Sequence, residues 1–522
     1  MSTQQGLPRQ HRPTRRNRSA NSLAVQGCCS YAPSVRTRRE GDGAVAVGEA
    51  AWQALAERIA GRLVRPGDPG YDDARALQIR EFDTVRPAGV CYCTTVDDVR
   101  EAVSFARTHG LPVAARSGGH SCAGHSTTDG LVIDLTGIAG VRREGTLIRA
   151  GAGIQTIDLL EETVPDGWVI PAGTCATVGL AGLTLGGGIG IATRKYGLTC
   201  DRVREIQLVV ADGSVLTCDE QRHADLFWAL RGCGGGNLGI VTELALEAVP
   251  AAPVTSYSLS WDWSDAARVW DAWQGWAPHA PDDLASNVRF ALEHPEAGEQ
   301  PEVMVLGAWL GDPGELPVLL DDLRHRVGRE PEAEFLHTGS YDDTLRTWMG
   351  CAELTRAQSH RVGTNPEARL PREGWHRERG HFVPETIPAE GIQQVLTAFA
   401  DAQAGDQIRA LELGAMGGAC NRIPADATAF VHRDHLYYAG LVVESHGEIT
   451  DELRASGSAW IDTCEPILRR WSSPYTYQNL PDPALTDWRT AYYGANYPRL
   501  AEIAHRYDPE GFFRRPQSLS AS

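Results

Sequence analysis

An α+β fold in two parts is predicted by three observations: short strand and helix windows alternate from Pro87, four glycine-dense loops adjoin those strands, and both features stop at Pro250. Gly89 to Cys93 reads as a strand. Asp97 to His109 reads as a helix with Val99, Val103 and Ala106 on one face, Thr95 as its cap and Gly110 as its stop. Strands follow at 111–115, 131–135 and 147–150, and Asp212-Gly213 joins 206–210 to 215–218 as a hairpin. A helix at 224–230 then leads to a last strand at 240–249. Beyond Pro250 tryptophans cluster (Trp261, Trp263, Trp270, Trp273, Trp276), which marks a domain boundary. That second region mixes strands at 287–292, 302–310, 408–413 and 436–443 with helices such as 392–402, and one amphipathic helix is expected over 490–507.

The chain has 522 residues, more than one core usually serves, and a net charge of −18 that repels phosphate backbones. No nucleic acid partner and no anionic membrane surface is expected. No apolar run approaches the roughly 18–20 residues that span a bilayer. The 12 cysteines show no CxxC pair, so they are expected to be mostly reduced and buried, in a cytoplasmic setting. Residues 1–48 are rich in Arg, Ser, Pro and Gln and read as a disordered basic tail; Arg15-Arg16 admits twin-arginine export as the lesser alternative, because no sustained apolar stretch follows.

The glycine loops are 116–121, 151–153, 173–190 and 232–239. Glycine lets backbone N–H groups approach a ligand, and consecutive N–H groups form a concavity suited to pyrophosphate, so a dinucleotide cofactor is implied; plain tight turns are the alternative. A Rossmann site at Gly151 and Gly153 is disfavoured. Its third small residue is replaced by Thr156, and no Asp or Glu occurs between Gly167 and Thr199. His120, Cys122 and His125 lack a fourth ligand for zinc, so no metal is expected; a structural histidine stays open at this point.

Taken together, RSGGHS (116–121), GTCATVGLAGLTLGGGIG (173–190), RKYGL (194–198), GGGNLGIVT (234–242), YQN (477–479), YYGANYPRL (492–500) and YDPEGFFRRPQS (507–518) resemble the FAD-linked oxidases of the vanillyl-alcohol oxidase superfamily. The likeness is to the berberine-bridge-enzyme-like branch and spans about residues 70–518. It implies a PCMH-type FAD-binding domain of two α+β subdomains (49–250) closed by a C-terminal return (475–518). Between them it implies an inserted substrate domain (251–474) built on an antiparallel sheet backed by helices.

The resemblance further implies FAD held covalently at both His120, through the flavin 8α-methyl, and Cys175, through C6. It assigns other cofactor contacts to Arg116, Ser117, Gly118, Gly119, Ser121, Gly173, Thr174, Val178, Gly179, Gly182, Gly186, Gly187, Gly190, Gly236, Asn237, Gly239, Ile240 and Asn479. Tyr477 is the implied catalytic base, deprotonating a substrate hydroxyl as hydride leaves for the flavin; a packed structural tyrosine is the alternative. Its phenol, with an ordinary pKa near 10, needs a stabiliser that the residues alone do not identify. A second base used by some relatives follows an FxHR motif, here 430–433, but the strand 436–443 offers Tyr437 and Tyr438 and no carboxylate. Alcohol, hemiacetal or sugar oxidation is therefore expected over amine or ring-closing chemistry. Val178 resembles the arrangement that leaves O2 access open, so an oxidase of bacterial secondary metabolism is expected. A dehydrogenase or oxidative cyclase on the same flavin, or an inert flavin-containing binding protein, are the alternatives.

Overall fold

The computed structural model describes residues 47–293, 299–401 and 407–520. The tail expected over 1–48 thus lies outside the described residues except for its last two, as does residue 402 at the end of the helix expected over 392–402.

Three sheets organise the chain. The first comprises β1 (Arg62–Val64), β2 (Gly89–Tyr92), β3 (Val113–Arg116) and β4 (Leu131–Asp134) in the order β1-β2-β4-β3, with β2 and β3 both parallel to β4. The crossover from β2 to β3 is the helix Val96–Thr108. Its cap is the expected Thr95, which accepts from the Asp98 backbone N–H while the Asp98 carboxylate reaches back to the cap, a capping box that satisfies otherwise orphaned donors. β4 is buried at all four positions, as a strand flanked on both edges and covered on both faces must be.

The second sheet runs β5 (Val141–Glu144), β6 (Leu147–Gly151), β10 (Ile240–Glu247), β8 (Val203–Val209) and β9 (Val215–Cys218), all antiparallel. The β8–β9 hairpin turns at Asp212-Gly213 with Gly213 at φ +86°, a conformation glycine adopts without steric cost. A short pair, β7 (Trp168–Val169) with β11 (Val249–Pro250), closes this half.

The third sheet has seven antiparallel strands: β12 (Val254–Trp261), β13 (Leu284–Leu292), β14 (Glu302–Trp309), β15 (Ala333–Gly339), β16 (Trp375–Val383), β17 (Ile408–Ala415) and β18 (Tyr437–Ser445), ordered β15-β12-β14-β13-β17-β18-β16. Strand side chains alternate between faces, so one face can be apolar and the other polar. Val288, Phe290, Leu411, Leu413, Tyr437, Leu441 and Val443 form a core with Trp270 and Trp273 of the helix Ala266–Gln274. The opposite face carries Asn287, Arg289, Glu378, Glu412 and Tyr438, and it roofs a cavity against the first half.

After the helix Asp451–Arg469 the chain returns to the first half. The single helix expected over 490–507 is two, Trp488–Tyr493 and Tyr497–Tyr507. Gly494 between them sits at φ +48°, outside helical space, which breaks the run although the apolar spacing continues across it.

Two buried arginines fasten the halves together. Arg194 donates to the carbonyls of Pro278 (3.0 Å) and Ala280 (2.6 Å) and also to that of Met416. Arg433 forks onto Asp201 at 2.7 and 2.8 Å, with both side chains almost wholly buried. Each is a charge-assisted tie, and the second is bidentate.

Candidate active site

Between the halves lies a cavity of about 430 Å³, walled by the loops after β3, around residues 173–191 and at 234–239, and by the C-terminal return. Glycine shapes it in two ways. A Cβ on Gly118 would meet the Thr177 carbonyl oxygen at 2.2 Å and one on Gly179 the Ser117 Oγ at 2.0 Å, so these glycines let two loops interlock. A Cβ on Gly182 or Gly236 would meet no atom within 4 Å, so these positions face open space. A Cβ on Gly235 would lie 3.8 Å from the Gly182 Cα. The lining therefore presents bare backbone from two directions, which is what a cofactor gripped by main-chain N–H groups requires.

His120 and Cys175 stand on the same wall. The His120 Nε2 is hydrogen-bonded to Thr177 Oγ1 at 2.6 Å, and burial, with Arg361 adding to it, lowers the imidazole to about 3. The ring is thus neutral, the form with a nucleophilic lone pair. Eight of the nine described cysteines that stand outside disulfides are buried; Cys175 is half-buried because it faces the cavity. Glu373, raised to about 7 by burial, is within electrostatic reach of that thiol.

Tyr477 lines the same cavity. Its hydroxyl oxygen accepts from the Gly188 backbone N–H and from Asn479 Nδ2, both at 3.0 Å. Two donors on one phenol oxygen favour the phenolate. Burial acts against them and raises the phenol above its ordinary value. Asn479 also donates to the Leu183 carbonyl at 2.8 Å, and it fits there because Gly186 has no side chain: a Cβ would meet Asn479 Oδ1 at 1.9 Å. Between the two residues, Gln478 donates to the Gly232 carbonyl (2.7 Å) and contacts His432 Nε2 (3.2 Å), which fixes the segment.

The remaining expected contacts divide. Arg116, Ser117, Gly118, Gly119, Ser121, Gly173, Thr174, Val178, Gly179, Gly182, Gly190, Gly236, Gly239 and Asn479 line the cavity. Gly186, Gly187, Asn237 and Ile240 stand behind the lining. Gly187 packs under Phe430, and Asn237 donates to the Cys233 carbonyl at 2.7 Å and accepts from the Leu519 N–H. Arg116 lines the cavity, yet its charge is taken by a buried ion pair with Asp134. The glycines of the 151–153 loop face protein: Cβ atoms there would meet the carbonyls of Ile138 at 2.2 Å and Leu135 at 1.7 Å. That loop is a tight turn rather than a dinucleotide cradle. His125, which also lines the cavity, accepts from Arg515 Nη1 at 2.9 Å.

The roof adds carboxylates to the cavity. The strand after FxHR supplies no carboxylate within 436–443, but the cavity has two, Glu378 from β16 and Glu412 from β17. Tyr438 joins them, whereas Tyr437 points to the opposite face and bonds Gln274. The signal was a charged residue on the otherwise small or apolar face Ala410, Glu412, Gly414, readable once the neighbouring register is known.

Comparison with known proteins agrees with this geometry. The FAD binding domain family matches residues 87–219, and the berberine and berberine-like family matches 476–520. The chain is 32% identical over 474 residues to the FAD-linked oxidoreductase YgaK of Bacillus subtilis (strain 168), covering 88% of this chain and 97% of that one. It is 28% identical to the chitooligosaccharide oxidase of Gibberella zeae (strain ATCC MYA-4620 / CBS 123657 / FGSC 9075 / NRRL 31084 / PH-1), covering 83% and 87%. Among solved structures, Physcomitrella patens BBE-like 1 superposes with a TM-score of 0.79 at 26% identity, over 90% of this chain and 98% of that one. The fold, the glycine-lined cavity and these likenesses place the chain in the PCMH-type FAD-binding superfamily, as a berberine-bridge-enzyme-like FAD-linked oxidoreductase.

Proposed function

We propose that this oxidoreductase is an oxidase that carries its FAD on both His120 and Cys175 and oxidises a hydroxyl group of a small molecule, with Tyr477 as the base. The observation that carries the reading is the pair of N–H donors on the Tyr477 oxygen, in the cavity that His120 and Cys175 also line. Both partners donate to the oxygen, and two donors favour the phenolate form that a base needs.

FAD bound in this cavity would supply the hydride acceptor, with O2 as the final oxidant and hydrogen peroxide as co-product. The chain's own residues do the rest. The bare backbone at Gly182 and Gly236 admits the cofactor, and the neutral imidazole of His120 and the thiol of Cys175 are the nucleophiles that tether it. Gly188 N–H and Asn479 Nδ2 hold the Tyr477 phenolate, which is neutralised as it accepts the hydroxyl proton. Val178, small and on the lining, leaves the approach open to O2. The likeness to a chitooligosaccharide oxidase supports a hydroxyl substrate.

Anaerobic mixing with a substrate, followed by an O2 pulse, tests the reading. Bleaching of the flavin band, recovery on O2 and one hydrogen peroxide per turnover are expected. Recovery only with an added quinone or dye would make the enzyme a dehydrogenase.

A further inference from the structure

Arg116, Arg194, Arg289 and Arg515 line the cavity, and the protein answers the charge of the first three. Arg116 pairs with Asp134, and Arg289 lies between Glu293 and Glu412. Arg194 serves three carbonyls, with Asp282 in electrostatic reach. Arg515, on the C-terminal return, has no carboxylate within ion-pair distance among the described residues. Its Nη1 donates to His125 Nδ1 at 2.9 Å and reaches the Pro516 carbonyl at 3.5 Å, and its Nη2 donates to the Gly235 carbonyl at 2.9 Å. The Nε–H is buried and has no partner.

All of these partners are neutral. Burial, with Arg515 adding to it, holds the His125 imidazole well below its ordinary value, so the ring stays an uncharged acceptor. The acidic groups that Arg515 feels are Tyr493, Cys233 and Tyr492. Burial pushes the Cys233 thiol up to about 12 and both phenols above their ordinary value, so none of the three is an anion. A guanidinium taken out of water without a counter-anion is costly, and a ligand that brings the anion removes the cost.

The surroundings identify that anion. Gly235 stands between Gly234 and Gly236, at φ +82° and +69°, beside the bare backbone of Gly182 and Gly236. The groups around Arg515 come from the loops at 125 and 233–235 and from the C-terminal return, on the cofactor side of the cavity rather than its roof. Oxidised FAD carries its negative charge on the pyrophosphate, and the planar fork of a guanidinium matches phosphate oxygens.

We propose that Arg515 binds the FAD pyrophosphate, adding the one cationic side chain to a cradle otherwise made of main chain, with His125 and Gly235 as positioning residues that hold the guanidinium. This rests on the reading of the cavity as the FAD site and is independent of the covalent tethers and of Tyr477.

The test uses the full chain carrying His120→Ala and Cys175→Ala, in which flavin is held without a covalent bond, titrated with FAD and with riboflavin by flavin fluorescence. Riboflavin has the ring system and lacks the phosphates. Arg515→Leu should weaken FAD by about 10–100-fold and leave riboflavin within about twofold, and Arg515→Lys, which keeps the charge, should recover part of the loss. Arg514→Leu, at the exposed neighbour that donates to the Glu510 carbonyl, should change neither. Equal losses for the two flavins, no loss for FAD, or no recovery with lysine would overturn the proposal. The same three substitutions are made in the otherwise unaltered chain, where intact mass reads the fraction of molecules carrying FAD. Arg515→Leu should lower that fraction relative to Arg514→Leu, and an unchanged fraction would also overturn it. Flavin that stays in the acid pellet of the His120→Ala, Cys175→Ala protein defeats the tether assignment alone and leaves the mass comparison to decide on Arg515. Folded protein that binds neither flavin in either background defeats the reading of the cavity as the FAD site.

Discussion

The floor and the roof of the cavity are built by different means. The floor is backbone, with glycine loops at 116–121, 173–190 and 234–239 that interlock at Gly118 and Gly179 and stay bare at Gly182 and Gly236. The roof is side chains, one or two per strand, with Asn287 and Arg289 on β13, Glu378 on β16, Glu412 on β17 and Tyr438 on β18. A backbone site appears in sequence as contiguous runs of glycine. A site spread over a sheet face appears as single residues scattered over some 150 positions, and gains meaning only when strand register brings them together. The floor therefore declares the cofactor, and the roof keeps the substrate obscure.

The sharpest way to break this division is Tyr477→Phe, which keeps the ring and removes only the oxygen that Gly188 and Asn479 hold. Turnover should fall by about 10²–10⁴-fold with bound flavin unchanged, measured by peroxide release and by the visible spectrum. A variant that keeps its rate would leave Tyr477 as packing. Next comes the tie between the halves. Asp201→Ala strands Arg433 as a buried charge and should cost about 3–5 kcal/mol in denaturant unfolding, since both side chains are almost wholly buried. An exposed pair would cost far less, so a small loss would contradict the buried geometry.

Asn479→Ala removes one donor from the Tyr477 oxygen. A loss of about 10²-fold is expected, and because the lost donor favoured the phenolate, the rising limb of the pH–rate profile should move to higher pH. An unmoved limb would assign the titration to another group. The gentlest probe is the pH dependence of stability. Burial raises Glu81 and Glu373 each to about 7, above their unfolded values, so the folded state holds more protons between roughly pH 4.5 and 7. Their contribution is present in full at the acid end and is lost as pH rises through 7, so the unfolding temperature should be lower at pH 8 than at pH 5, and Glu373→Gln should flatten the change.

Much of the first half could be read before any coordinates existed. The Thr95 cap and the Asp212-Gly213 turn follow from local chemistry that acts over a few residues. Gly186 shows the limit of reading glycine as ligand contact, because its missing side chain makes room for Asn479, nearly 300 residues later in the chain. The donor on the Tyr477 oxygen was hidden for the same reason, since Gly188 and Tyr477 meet only in the folded protein. The break at Gly494 was obscured by apolar spacing that continues on both sides of it. Glu378 was hidden in β16, whose sequence is polar on both faces and lacks the alternation that marks a strand.

The central claim is that one wall of the cavity tethers the cofactor twice. Intact mass and visible colour after acid precipitation test it directly, with His120→Ala, Cys175→Ala and the double variant alongside the unaltered protein. The account predicts one FAD of added mass and a yellow pellet for the unaltered protein and for each single variant, and a colourless pellet for the double variant. Flavin released into the supernatant from the unaltered protein would contradict it.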